Sequence, residues 1–524
     1  MEPKEVLKFF IEKGLLVDKE VLDLFSETTD EESTKLIIEK LKNHTQQKII
    51  TKEIFLKNKE KVCGFFSNFP KENQKNFEKL KIKLGLSIEI SKEISKPFHE
   101  KTASSQPIIV KNVEVQNSKP FLNKKIEISD FNKYFRNRYN ELKSILQEHS
   151  ELKNLISINK LSGNASSISV IGMILDKRVT KNLNLIFEIE DFTGTIKVIV
   201  NQNKKEVYEK ARDICLDSVI GFKCSGNNKV LFANEVVFPE AILFERKTSP
   251  IEESIAFLGD LHFGSKLFFE KSFLKFIDYL NGKLQNPEEA KKIKYLFIVG
   301  DLITGVGNYP NQERDLKIKD VEEQYIQIAE LLSRIRKDII IIISPGNHDG
   351  VRLMEPQPIF EKKFAWPLYN LDNVIITENP SRINIGKKYG FSGFNVLTYH
   401  GFSFPYYADN VPSLVQAKAI NFQDKIMAYL LKNRHLSPTH STRTQHFPLE
   451  KDPLLIRKIP DIFFSGHLHK SAISYYNNIL LVVSSCWEDL TSYQIKRGNK
   501  PDFCKVPLFN LKTRKIKILD FEEK

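Results

Sequence analysis

Five short stretches carry side chains able to do chemistry. They are "FLGDLHFG" with Asp260 and His262, "IVGDLITG" with Asp301, "SPGNHDG" with Asn347 and His348, "LTYHGF" with His400, and "FFSGHLHK" with His467 and His469. The chain has only 11 histidines in 524 residues, so their concentration here needs a reason. Taken singly, the stretches say little. A Gly-Asp after an apolar run is common. Asp-x-His puts two side chains on one face of a strand, but a solvated turn is the more frequent explanation. Taken together and in this order, they read as one site. Asp260, Asp301 and Asn347 offer oxygen; His262, His400, His467 and His469 offer imidazole nitrogen. A mixed oxygen and nitrogen set suits Mn²⁺, Fe²⁺ or Zn²⁺ better than Mg²⁺ or Ca²⁺, which prefer oxygen alone. Two such ions roughly 3.5–4 Å apart clamp the attacking and leaving oxygens of an in-line phosphoryl displacement. On this reading His467 and His469 are ligands, one for each ion.

These residues must be brought together from positions more than 200 apart. Each stretch follows an apolar run of the kind that forms a strand buried on both faces. Each candidate therefore sits just past the carboxyl end of a strand, where sites of layered α/β folds assemble. The rest of the chain reads as further domains, since 524 residues exceed one ordinary core. Residues 1–70 are expected to be a helical module: "EVLKFFIEKG" has helical spacing and a Gly at its stop. Residues 71–125 are polar and read as a flexible linker. Residues 126–245 begin with a helix and continue as five alternating strands, with a helix after the third. That is the order of an OB-fold barrel. Residues 246–524 hold the chemistry.

Composition narrows the class. The net charge of +13 and pI near 9.1 favour a polyanionic partner, although lysine-rich chains in general share that balance. No apolar run is long enough to cross a membrane, and the charged N-terminus is not expected to be a signal peptide. The five cysteines form no CxxC pair, so neither a disulfide framework nor a cysteine zinc site is indicated, and a cytoplasmic location is expected. The loop "NRHLSPTHSTRTQHFP" gathers Arg434, His435, His440, Arg443 and His446. It is expected to contact DNA or a protein partner, with a second metal site as the alternative.

The order of the five motifs resembles the calcineurin-like metallophosphoesterase superfamily. That resemblance implies an α/β four-layer sandwich, two mixed β-sheets flanked by helices. It also implies roles. Asp260, His262 and His469 would hold one metal, and Asn347, His400 and His467 the other. Asp301 would bridge them, and His348 would protonate the leaving oxygen. The chain departs from the phosphatase branch, which reads GDxxDRG where this sequence reads "GDLITGVG". The acid that would orient His348 is missing from its usual place, as in the superfamily's nucleases. The flanks "GNHDGVRLMEPQP", "YHGFSFPYYADNVP", "LLKNRHLSPTH" and "KIPDIFFSGHLHK" look like the small subunit of archaeal family D DNA polymerase, over about residues 128–524. The resemblance implies a 3′→5′ exonuclease that proofreads for a separate large catalytic subunit. It implies two divalent metals (Mn²⁺ first, Fe²⁺ or Zn²⁺ next), DNA as substrate, and a sliding clamp reached indirectly. The competing readings are a scaffold subunit with a silent site and a stand-alone repair nuclease.

Overall fold

The structure, a computed structural model, describes residues 2–28, 31–44, 49–51, 108–110, 112–116, 125–491, 494–495 and 500–523. The chain divides into two compact units, Met1–Thr102 and Ala103–Lys524. In the first, helices Pro3–Glu12, Lys19–Thr28 and Glu31–His44 accompany a parallel pair of short strands, β1 (Leu16–Val17) and β2 (Ile49–Ile50). The first helix starts with Pro at its first turn and runs into Gly14, whose φ of +74° suits a residue without Cβ. Helical spacing aligns Val6 with Phe10 and Val21 with Phe25, and these close a small core with Ile37 and Ile38.

The second unit begins with a correction. Part of the stretch expected as linker forms a hairpin, β3 (Ile108–Val110) and β4 (Val113–Val115), turning through Asn112 at φ +70°. β4 pairs with a strand nearly 270 residues later, Ile383 opposite Val115. The apolar alternation "IIVKNVEV" is short and set in polar sequence, so local pattern alone underrates it. Residues 52–107, which hold most of the expected linker and Cys63, lie outside the described residues.

Next comes helix Ile128–Gln147, opened by a capping box of Glu127 and Asp130. Five strands follow: β5 (Ala165–Val179), β6 (Leu185–Asp191), β7 (Gly194–Val200), β8 (Val219–Gly226) and β9 (Val230–Val237). They close into a barrel in the order β5-β6-β7-β9-β8, with helix Lys205–Arg212 between the third and fourth. Alternate residues such as Phe187, Val198 and Phe222 point inward and fill it.

The remaining strands are β10 (Ser254–Gly259), β11 (Ile293–Val299), β12 (Ile340–Ser344), β13 (Val374–Ile376), β14 (Ser381–Ile385), β15 (Phe394–Tyr399), β16 (Ile462–Ser465), β17 (Ala472–Tyr476), β18 (Ile479–Val483), β19 (Lys505–Asn510) and β20 (Ile516–Asp520). They form two mixed sheets, β13-β12-β11-β10-β19-β20 and β17-β18-β16-β15-β14-β4-β3. Phe257 and Phe297 of one sheet meet Phe464 and Val482 of the other in a core between them. The outer face of the first sheet is covered by helices Glu270–Leu280 and Val321–Ser333, with Trp487 buried among Phe273, Phe276 and Phe521. The outer face of the second is covered by helices Phe404–Asn410 and Gln423–Asn433. The layers run helix, sheet, sheet, helix. Among the described residues no helix is long and apolar enough to cross a membrane.

One buried ion pair ties helix Ile128–Gln147 to the histidine-rich loop. Arg138, fully buried, donates to Asp452 Oδ2 (2.8 Å), the Pro438 carbonyl (2.6 Å) and the Tyr134 hydroxyl (3.0 Å). His435 donates from Nε2 to the same Asp452 oxygen (2.8 Å) and accepts at Nδ1 from the Ser437 amide. Those two bonds require the neutral ring, and burial next to Arg138 holds His435 down at about 4. Removing one member of such a pair leaves an uncompensated buried charge, which costs about 3–5 kcal/mol. Arg138→Ala is therefore expected to lower the unfolding free energy of the second unit by that amount. Urea titration of the full chain checks it, and a change under about 1 kcal/mol would show the pair to be neutral.

Candidate metal centre

Parallel strands β10, β11 and β12 end side by side, as do β15 and β16 of the facing sheet, and the five chemical stretches leave from those ends. The backbone then turns abruptly. Asp260, His262, Asp301, His467 and His469 all have positive φ, between +49° and +79°. Such conformations cost about 1–3 kcal/mol each for residues with a Cβ and persist where surrounding structure enforces them. Here they aim five side chains into one space.

The resulting geometry is specific. Single ligand atoms of Asp260, His262 and His469 lie within 4.8 Å of one another, and so do those of Asp301, His400 and His467. His262 Nε2 and His469 Nε2 face each other at 3.1 Å, with Asp260 Oδ1 3.5 Å from the latter. His400 Nε2 lies 3.0 Å from Asn347 Oδ1 and 3.2 Å from His467 Nδ1. Asp301 stands between the two groups. Its Oδ1 accepts the His348 amide (2.8 Å), which leaves Oδ2 at 3.3 Å from His400 Nε2 and 3.8 Å from His262 Nε2. All seven expected ligands thus converge. His348 also reaches the site, with one ring nitrogen within 4.8 Å of the ligand atoms of His262 and Asp301.

The electrostatics fit cations. Burial, then His348, keeps His262 neutral well below the usual histidine range; burial, then His400, does the same for His467. Burial raises the Asp301 carboxyl, but His400 and His348 outweigh it and hold it well below the carboxylate range. Two imidazole nitrogens buried face to face can share one proton, but the Asp260 and Asp301 carboxylates beside them are acceptors only and compete for it. A divalent ion in each group would satisfy them, so the residues fit the implied metals.

Supporting contacts went unread in the sequence. Asp349 is buried and accepts from the Ile303 amide (2.9 Å) and the Gly346 amide (2.8 Å), fastening the loop after β12 to the loop after β11. Burial and the nearby Asp301 push its carboxyl up to about 7. Asn379 accepts the His400 amide (2.8 Å), Ser484 donates to Asp260 Oδ2 (3.3 Å), and Gln494 lies 2.9 Å from His469 Nδ1. Asp349 has a signal, the "GNHD" run itself; the other three have none in local sequence.

The histidine-rich loop corrects a second expectation. Arg434 is buried and donates to the Ile456 and Arg457 carbonyls, and His435 is buried on Asp452. Neither can reach DNA. His440 packs against Phe131 and Phe135, while Arg443 stays exposed, 3.7 Å from Asp409. The partner of this loop is Arg138, some 300 residues upstream, so local sequence reads a buried network as an exposed basic loop.

Similarity to known proteins coincides with this centre. A family model describing the B subunits of DNA polymerases alpha and epsilon matches residues 255–473, the span from β10 into β17 that carries every candidate ligand. The DNA polymerase II small subunit of Methanothermobacter thermautotrophicus is 36% identical over 398 residues, covering 75% of this chain and 80% of that protein. The chain belongs to the family of DNA polymerase II small subunits. The Pyrococcus furiosus member is 35% identical over 443 residues (83% of this chain, 69% of that protein), and the Methanocaldococcus jannaschii member 38% over 391 residues (73% and 64%). Each alignment takes in most of this small subunit and reaches well beyond the metal centre.

Two outcomes follow. A Cβ on Gly346 would fall 2.2 Å from Asp301 Oδ1 and 2.5 Å from its amide nitrogen. Gly346→Ala is therefore expected to displace Asp301 and lose bound metal while leaving the melting temperature within a few degrees. Metal analysis by mass spectrometry checks this, and full retention would contradict it.

The second concerns protons. Burial lowers His400, yet Asp301 outweighs it and the metal-free ring is pushed up to about 9. A cation needs that lone pair, so binding near neutral pH must release a proton, and affinity should rise as pH rises toward about 9. Calorimetric titration with Mn²⁺ in buffers of different ionisation heat measures the release; a pH-independent affinity would exclude His400 as a ligand.

Proposed function

We propose that the chain is the proofreading subunit of an archaeal family D DNA polymerase, a 3′→5′ exonuclease working beside a separate large catalytic subunit. The observation that carries this reading is Asp301 Oδ2, poised between two complete donor groups, one of Asp260, His262 and His469 and one of Asn347, His400 and His467. A scaffold with a silent site has no reason to keep every donor or to hold five strained residues in place. Two divalent ions, Mn²⁺ first among the candidates, would place positive charge on the scissile phosphate and make water a nucleophile at neutral pH.

The chain's own groups do the rest. Asp301 Oδ1 is held by the His348 amide, so the carboxylate that would bridge the ions and the ring beside them move as one piece. His348 Nδ1 lies 2.9 Å from the Thr304 carbonyl, which can only accept. Nδ1 therefore carries a hydrogen, and Nε2 is left to hold a proton for the departing 3′ oxygen. The barrel, an OB-fold by its strand order, and the two-sheet domain form the body that docks on the large subunit. The substrate is the unpaired 3′ end of a primer.

His348→Ala should lower the rate of digestion of a 3′-mismatched primer by about 10²–10⁴-fold, the usual worth of a general acid, with both metals retained. Single-turnover kinetics with Mn²⁺, paired with metal analysis, decides it. Loss of metal would make His348 a ligand, and an inactive wild-type chain in complex with the large subunit would return the scaffold reading.

A further inference from the structure

The acid that orients the corresponding histidine in phosphatases has no counterpart in "GDLITGVGNYP", yet His348 is not left loose. Its Nδ1 meets the Thr304 carbonyl at 2.9 Å. That same oxygen also accepts from Asn308 Nδ2 (2.9 Å) and from Gln312 Nε2 (2.9 Å). Gln312 is buried, and its Oε1 accepts the Asn308 amide nitrogen (2.8 Å), so one side chain fixes both the carbonyl and the residue beside it. One residue on, buried Gln324 accepts the Gly305 amide (2.9 Å) and donates to the Gly305 and Ile318 carbonyls. Three side-chain amides, none of them charged, thus pin a two-residue turn of backbone.

Asn308 Nδ2 lies 3.3 Å from His348 Nδ1, on the flank of the ring. An amide nitrogen donates only, so it cannot take the Nδ1 hydrogen; that hydrogen goes to Thr304. Asn308 therefore does two things. It anchors the accepting oxygen, and it closes the side along which the ring would slide. A backbone carbonyl cannot move as a carboxylate side chain can, and the ring it holds keeps one tautomer.

We propose that Asn308 is a positioning residue for His348, and that the amide-clamped Thr304 carbonyl takes the place of the missing acid. The inference rests on the phosphodiesterase reading of the site. Asn308 is exposed, so changing it leaves the core intact.

The test uses the full chain with Mn²⁺ and two substrates. One is a single-stranded oligonucleotide, whose 3′ alkoxide needs a proton to leave. The other is bis(4-nitrophenyl) phosphate, whose phenoxide does not. Asn308→Ala is expected to lower kcat on the oligonucleotide at least ten times more than on the activated diester, with KM and metal content unchanged. The double variant with His348→Ala should be no slower than His348→Ala alone, since two residues acting through one group are not additive. Equal losses on the two substrates, loss of metal, or additive effects would overturn the proposal. If the wild-type chain cleaves neither substrate, alone or in complex with the large subunit, the phosphodiesterase reading fails, and imidazole ¹⁵N shifts of His348 then decide the positioning claim by themselves. A single Nδ1–H tautomer that becomes mixed in Asn308→Ala supports it; an unchanged tautomer overturns it.

Discussion

The site depends on one carboxylate with two different oxygens. Asp301 Oδ1 is occupied by the His348 amide, and Oδ2 is left facing an imidazole nitrogen from each donor group. Were both oxygens free, the side chain could rotate toward either group, and the space between the groups would have no fixed centre. The amide contact removes that freedom. It also links the centre to the loop that carries His348 and Asn347, so the donors and the general-acid candidate are set by the same hydrogen bond. Around it the chain has little slack: a Cβ on Gly300 would land 1.9 Å from His400 Nδ1.

Holding seven donors in such a space is unfavourable without metal. Like charges and unpaired lone pairs are brought together, and five backbones sit at positive φ. The compensation lies in the layers behind them. The cores on either side of each sheet fix the strand ends, and Asp349, Asn379 and Ser484 tie the loops to one another. The functional strain is thus concentrated one to four residues past the ends of β10, β11 and β16, where a rigid scaffold can enforce it.

Much of this is legible in the sequence because the ligands follow the strongest local signal in the chain. "IIIIS" before Asn347 and "IFFS" before His467 read as buried strands and are buried strands. The barrel's five strands are likewise readable from alternation, and its closure follows from their pairing. What escapes is non-local. The β4–β14 pairing joins residues far apart, and nothing in "VEV" names its partner. Arg434 and His435 look like a basic surface until Arg138 and Asp452 are seen against them. Gln494 beside His469 has no motif to announce it. Sequence patterns report a residue's neighbours along the chain; these contacts concern neighbours in space.

Membership in the DNA polymerase II small subunit family says what the chain is related to, and the intact centre says what it is equipped to do. The proposed chemistry requires two cations that share Asp301. Anomalous diffraction from crystals of the full chain soaked in Mn²⁺ tests it most directly. Two manganese peaks roughly 3.5–4 Å apart are expected, with Asp301 Oδ2 within bonding distance of both. A single peak, or two peaks of which only one touches Asp301, would contradict it.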